Sequence, residues 1–142
     1  MHFRSIGVAV ALCLLCAGVA QAKTVHFTAA LKGAAETPPN ATTGTGKVDA
    51  TLDTASKTFT YTVTYSGLTG AAGAAHFHVG AVGVSGPPAL PVPPANLASP
   101  IKGTATLTDA QAADLTAGKW YFNIHTAANP GGEVRGQLTA AP

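Results

Sequence analysis

The amino-acid sequence predicts an all-β sandwich of about seven to eight strands with one short connecting helix. Two observations carry this. Apolar residues alternate with period two along segments rich in Thr and Val, the signature of half-buried strands. Gly and Pro interrupt those segments every 8 to 12 residues or so, the punctuation of a sandwich or barrel. A third observation limits the helix content to a single stretch near residue 110.

In the first strand Val25, Phe27, Ala29 and Leu31 point one way, and Thr24, His26 and Thr28 the other. Val48, Ala50 and Leu52 mark a second strand, and Phe59, Tyr61, Val63 and Tyr65 a third. The Thr-Ala-Ser-Lys link at 54–57 makes these two a hairpin. Ala75, Phe77 and Val79 alternate with Ala74, His76 and His78 in the fourth. Ala105 and Leu107 lie on a short fifth strand. Trp120, Phe122 and Ile124 alternate with Tyr121, Asn123 and His125 in the sixth. Val134, Gly136 and Leu138 close the chain, opposite Glu133, Arg135 and Gln137. Seven such strands are typical of Greek-key sandwiches.

The helical stretch has its own punctuation. Thr108-Asp109-Ala110-Gln111 reads as a capping box and Gly118 suits the position after the helix, with Leu115 expected to pack on the sandwich edge. Residues 86–100 hold six prolines, at 87, 88, 91, 93, 94 and 100. Such a run is expected to stay out of the sheet as a long crossing loop.

Residues 1–22 read as a secretory leader. Ile6 to Val19 is an unbroken small and apolar run, and Ala20-Gln21-Ala22 matches a signal-peptidase site. The run is too short to read as a membrane span. Cys13 and Cys16 both follow leucine, which argues against lipidation, and both lie in the leader with the single Met. The expected mature segment, 23–142, is therefore sulfur-free and forms one domain in a periplasmic or secreted setting. Its seven basic and six acidic side chains are scattered singly. That argues against nucleic acid as a partner, and nothing in the segment resembles a membrane anchor.

Histidines hold the chemistry. His76 and His78 stand at i and i+2 on a strand and project from one face, with Cβ atoms roughly 6 to 7 Å apart. That spacing lets both imidazoles reach one ion, although a pair of solvated surface histidines has the same spacing. His125 also lies opposite its strand's apolar stripe, so the three rings converge if the two strands are neighbours. His26 obeys the same rule and is a candidate fourth member. Without thiolate or thioether, three neutral imidazoles suit copper(II) or zinc. Glu36 and Glu133 are the acids nearest the relevant loops and candidates to orient a ligand histidine. The serines at 56, 66, 85 and 99 have no nucleophile-elbow context, and the six acids form no evident glycosidase pair.

The motifs also resemble a family. Ala75-His76-Phe77-His78-Val79-Gly80 is similar to the Ala-His-Ile-His-x-Gly motif of the CHRD, or chordin-type, domain. Asn123-Ile124-His125-Thr126 and the run Pro130 to Gln137 resemble its C-terminal signature. Leu31 to Pro39 resembles its opening motif, with Thr37 in place of the usual valine. The resemblance implies an immunoglobulin-like or superoxide-dismutase-like Greek-key β-sandwich over 23–142, in an extracellular protein. A more distant likeness to the copper-binding strands of Cu/Zn superoxide dismutases implies His76, His78 and His125 as ligands, with Arg135 as a substrate-guiding residue. The bridging histidine, zinc loop and disulfide of those enzymes are not recognisable here. Three functional expectations follow: a copper-binding (or zinc-binding) protein, a non-catalytic interaction module with an extracellular protein partner and structural histidines, and a dismutase-like redox enzyme.

Overall fold

The computed structural model describes residues 21–142; the predicted leader lies, up to residue 20, outside the described residues. Nine strands are present among these: β1 (Thr24–Lys32), β2 (Thr45–Asp53), β3 (Thr58–Ser66), β4 (Ala72–Val79), β5 (Pro88–Pro91), β6 (Ile101–Thr106), β7 (Trp120–Thr126), β8 (Val134–Gln137) and β9 (Thr139–Ala140). One helix, α1 (Asp109–Thr116), joins β6 to β7. All-β with one short helix is therefore the architecture. The strand count exceeds the expected seven or eight because β5 and β9 are too short to carry a readable alternation.

The strands form one antiparallel sheet in the order β5-β4-β7-β8-β1-β2-β3-β6, with β9 beside β1. The sheet curls on itself. Phe59 of β3 and Phe77 of β4 lie on strands far apart in that order, yet their rings meet edge-on at 5.2 Å. Trp120 of β7 stands 5.8 Å from Phe59. Only one residue pair, Lys32 with Arg135, registers β1 against β8, and the two halves of the sheet on either side of that seam face each other as layers. Between them lie the alternating residues read from the sequence: Phe27 and Leu31, Val48 and Leu52, Phe59 and Val63, Phe77, Trp120, Phe122 and Ile124, all essentially inaccessible. Burying each large side chain stabilises the fold by about 1.5–3 kcal/mol. Edge-to-face aromatic pairs add roughly 0.5–1.5 kcal/mol apiece.

One expectation requires correction. The proline run does enter the sheet, since Pro88–Pro91 pairs with β4. It can do so because β5 is an outermost strand, where a proline's missing N–H deprives no ladder of a bond. The polar face of β7 is covered: Tyr121 and Asn123 are only 3% and 4% exposed. The 80–87 loop and the segment after β1 cover it. The helix follows its sequence signals closely. Thr108 and Gln111 make both capping-box bonds, Leu115 is buried, and Gly118 takes a left-handed φ of 73°.

Candidate metal centre

Register brings the histidines together. β4 and β7 are antiparallel neighbours in which His76 faces Asn123, His78 faces Tyr121 and Ala74 faces His125. His125 therefore sits diagonally across from His76, within reach of long side chains. One ligand nitrogen from each of His76, His78 and His125 lies within 4.8 Å of the others, and all three rings are half-buried. His76 Nδ1 is 3.3 Å from His125 Nε2. Two nitrogens bound tetrahedrally at about 2.0–2.1 Å from one ion would lie about 3.3–3.4 Å apart.

The ring protons are directed by the backbone. His78 Nδ1 is 2.9 Å from the Gly86 carbonyl, and His125 Nδ1 is 2.9 Å from the Pro130 carbonyl. A carbonyl only accepts, so each Nδ1 donates, and each neutral ring carries its lone pair on Nε2. His78 Nε2 is buried and has no hydrogen-bond partner. An acceptor in that state is costly unless something electron-poor meets it. Histidine ligands of metals commonly donate their other N–H to a backbone carbonyl in this way. The three donor nitrogens are thus His76 Nδ1, His78 Nε2 and His125 Nε2.

His76 and His78 are also held neutral. Burial lowers the pKa of His76, with lesser contributions from His125 and His78. Burial lowers that of His78 too, with smaller lowering effects from His125 and Arg135, against the opposing effects of the Gly86 bond and the Asn123 side chain. Both are available as ligands at neutral pH.

The remaining candidates fall elsewhere. His26 is exposed on β1, paired with Thr51 of β2, and borders a shallow groove with Thr28, Asp49 and Thr60; it is not part of the histidine group. Glu133 is fully buried, but its carboxylate accepts from Thr42, Thr69 and Thr126 and from the Thr69 N–H rather than from a histidine. Burial pushes its pKa up, yet these bonds outweigh burial and hold it at about 2. Its role is to anchor the turn that presents the Pro130 carbonyl. Glu36 is buried with Oε1 unpartnered. Burial raises its pKa to about 7 against the lowering effects of Arg135, the Thr37 N–H and Asn123. It bonds no histidine, and shares the Asn123 side chain with His78. Arg135 is 2% exposed and bonded to Thr37, Ala81 and Val84, a placement unlike that of a surface residue guiding a substrate.

Sequence reasoning missed Tyr121, Gly86 and Pro130. Tyr121 had a usable signal: a large aromatic on the same strand face as Asn123 and His125 implies that something covers that face. The two carbonyls had none, because any residue supplies one.

The comparisons with known proteins agree with the motifs. The CHRD domain model matches residues 27–138. No curated protein and no solved structure matches the chain. CHRD domains occur in extracellular or secreted proteins, and no described helix is long and apolar enough to cross a membrane. With the match running from Phe27 in β1 to Leu138 after β8, the chain belongs to the CHRD domain family.

Proposed function

We propose that this domain is a periplasmic or secreted metal-binding protein that takes copper(II), or zinc, through His76, His78 and His125. The observation that carries the reading is the pair of carbonyl-anchored rings that, with His76, bring one nitrogen each within 4.8 Å of the others. Three imidazoles leave room for a further ligand in the shell, and an all-nitrogen set favours copper(II) over zinc by intrinsic affinity. The bound ion would supply a Lewis-acidic or redox-active centre; the chain's part is to hold three imidazoles together at the β4–β7 seam. Isothermal titration with Cu(II) tests the reading. Submicromolar one-to-one binding by the wild type, lost in the triple variant His76→Ala/His78→Ala/His125→Ala, supports it, and equal affinity of both overturns it.

A second reading keeps the family but makes the histidines structural, in a module that binds an extracellular protein. The His76–His125 contact and the two carbonyl bonds favour it. The triple variant would then melt well below the wild type in the presence of a chelator, and added Cu(II) would raise neither melting temperature.

A further inference from the structure

His78 is surrounded by more structure than a ligand needs to stay in place. Its ring stacks on Tyr121 with centroids 4.8 Å apart and planes only 4° from parallel. On the Tyr121 ring lies the Arg135 guanidinium, its Cζ 3.4 Å from the centroid. Imidazole, phenol and guanidinium share this corner of the fold, contributed by β4, β7 and β8.

Two of the three layers also hold the loop that carries Gly86. Arg135 Nη2 donates to the Ala81 carbonyl at 3.1 Å and to the Val84 carbonyl at 2.9 Å. Tyr121 Oη accepts from the Gly86 N–H at 3.1 Å, and its own proton reaches the Gly86 carbonyl at 3.4 Å. The loop ends are tied as well, through Val79 N–H to the Pro87 carbonyl and Gln137 Nε2 to the Gly80 carbonyl. Gly86 comes so close to β4 that a Cβ on it would overlap the Val79 carbonyl, at 1.6 Å. Residue 86 must be glycine for its carbonyl to reach His78 at all.

We propose that Tyr121 and Arg135 are the positioning residues of His78. They lock the 80–87 loop so that the Gly86 carbonyl selects the Nδ1–H tautomer, and they clamp the ring plane so that the Nε2 lone pair faces His76 and His125. The inference deepens the metal-binding reading and rests on it for its purpose. Neither residue touches the ion. Tyr121 acts by stacking and through its hydroxyl, Arg135 through two carbonyls and the face of Tyr121.

The test has a readout that needs no metal. Long-range 1H–15N spectra of the apoprotein report directly which nitrogen of His78 is protonated. The wild type is expected to show Nδ1–H alone. Tyr121→Phe keeps the stack and removes the hydroxyl, and Arg135→Lys removes the planar fork. In either variant the His78 resonances are expected to move toward a tautomer average, with Cu(II) affinity falling about 10–100-fold and the Cu(II) electron-paramagnetic hyperfine splitting altered. Thermal melts of the apoproteins show whether each variant folds; if Arg135→Lys does not, Tyr121→Phe carries the test. Wild-type tautomer and copper affinity in a folded Tyr121→Phe protein would overturn the proposal, as would a wild type that is not Nδ1–H. A wild type with the Nδ1–H tautomer that binds no copper would overturn the metal reading and leave the positioning of His78 intact.

Discussion

His76 Nδ1 and His125 Nε2 lie 3.3 Å apart although 49 residues separate them in the chain. Because His125 already spends its Nδ1 proton on the Pro130 carbonyl, only His76 can donate across that gap. The contact is then a weak hydrogen bond whose proton sits where an ion would. An ion bound at His76 Nδ1 would require that ring's proton to sit on Nε2, while the other two rings already carry their lone pairs on Nε2.

This geometry sets the expected effect of His125→Ala. Copper affinity should fall by more than the roughly 10–100-fold that losing an outer-shell partner costs. The apoprotein should melt within a few degrees of wild type, because a half-buried ring with one carbonyl hydrogen bond and one weak contact contributes on the order of 1 kcal/mol. Titration calorimetry and thermal melts of one preparation check both halves.

The pH dependence follows from the lowered pKa values of His76 and His78. As pH falls through the ordinary imidazole value of 6.5, the unfolded chain takes up protons first. Stability contributed by these two groups is present above about 6.5 and is lost as pH drops toward their depressed folded values. Denaturant titrations of the apoprotein should show that decline, and His76→Gln should reduce it. Copper binding should persist somewhat below the pH at which free imidazole would release it.

Glu36 has the opposite sign. Its folded pKa is raised from 4.5 to about 7, so the stability tied to its neutral form is present below 4.5 and is lost as pH rises through about 7. Glu36→Gln keeps the shape and cannot ionise. It should flatten that part of the stability profile, by on the order of 1–2 kcal/mol once solvent screening is allowed for.

Glu133 is the counterpart. With its pKa held at about 2, its contribution is present above 4.5 and lost as pH falls through about 2. Glu133→Gln converts charge-assisted acceptors into a neutral amide facing three threonine hydroxyls, and should cost about 1–3 kcal/mol in chemical denaturation at neutral pH. Because the Pro130 turn loosens with it, copper affinity should fall as well.

Much of this was legible before any coordinates. Strand identity followed from Phe59-Tyr61-Val63 and Trp120-Phe122-Ile124, whose alternation is dictated by the two-residue period of an extended chain. The capping box at Thr108 and Gln111 is equally local, and both of its bonds form. The placement of His76 and His78 on one face is local too. Pro88–Pro91 misled because proline's exclusion from sheets depends on whether the strand is central or at an edge, which no local pattern reveals. Glu133 misled because a carboxylate beside a ligand-bearing turn looks alike whether it bonds histidine or threonine.

The sequence by itself determined seven of the strands, the faces their side chains occupy, the family and the three imidazoles that could share an ion, since all of these depend on residue type and short-range spacing. Only the tertiary structure decided that β4 and β7 are neighbours, that the 80–87 loop covers His78 and Tyr121, and that Gly86 and Pro130 set the ring tautomers. Those features depend on long-range register and on backbone carbonyls, which every residue has and which only the folded chain brings to a particular ring.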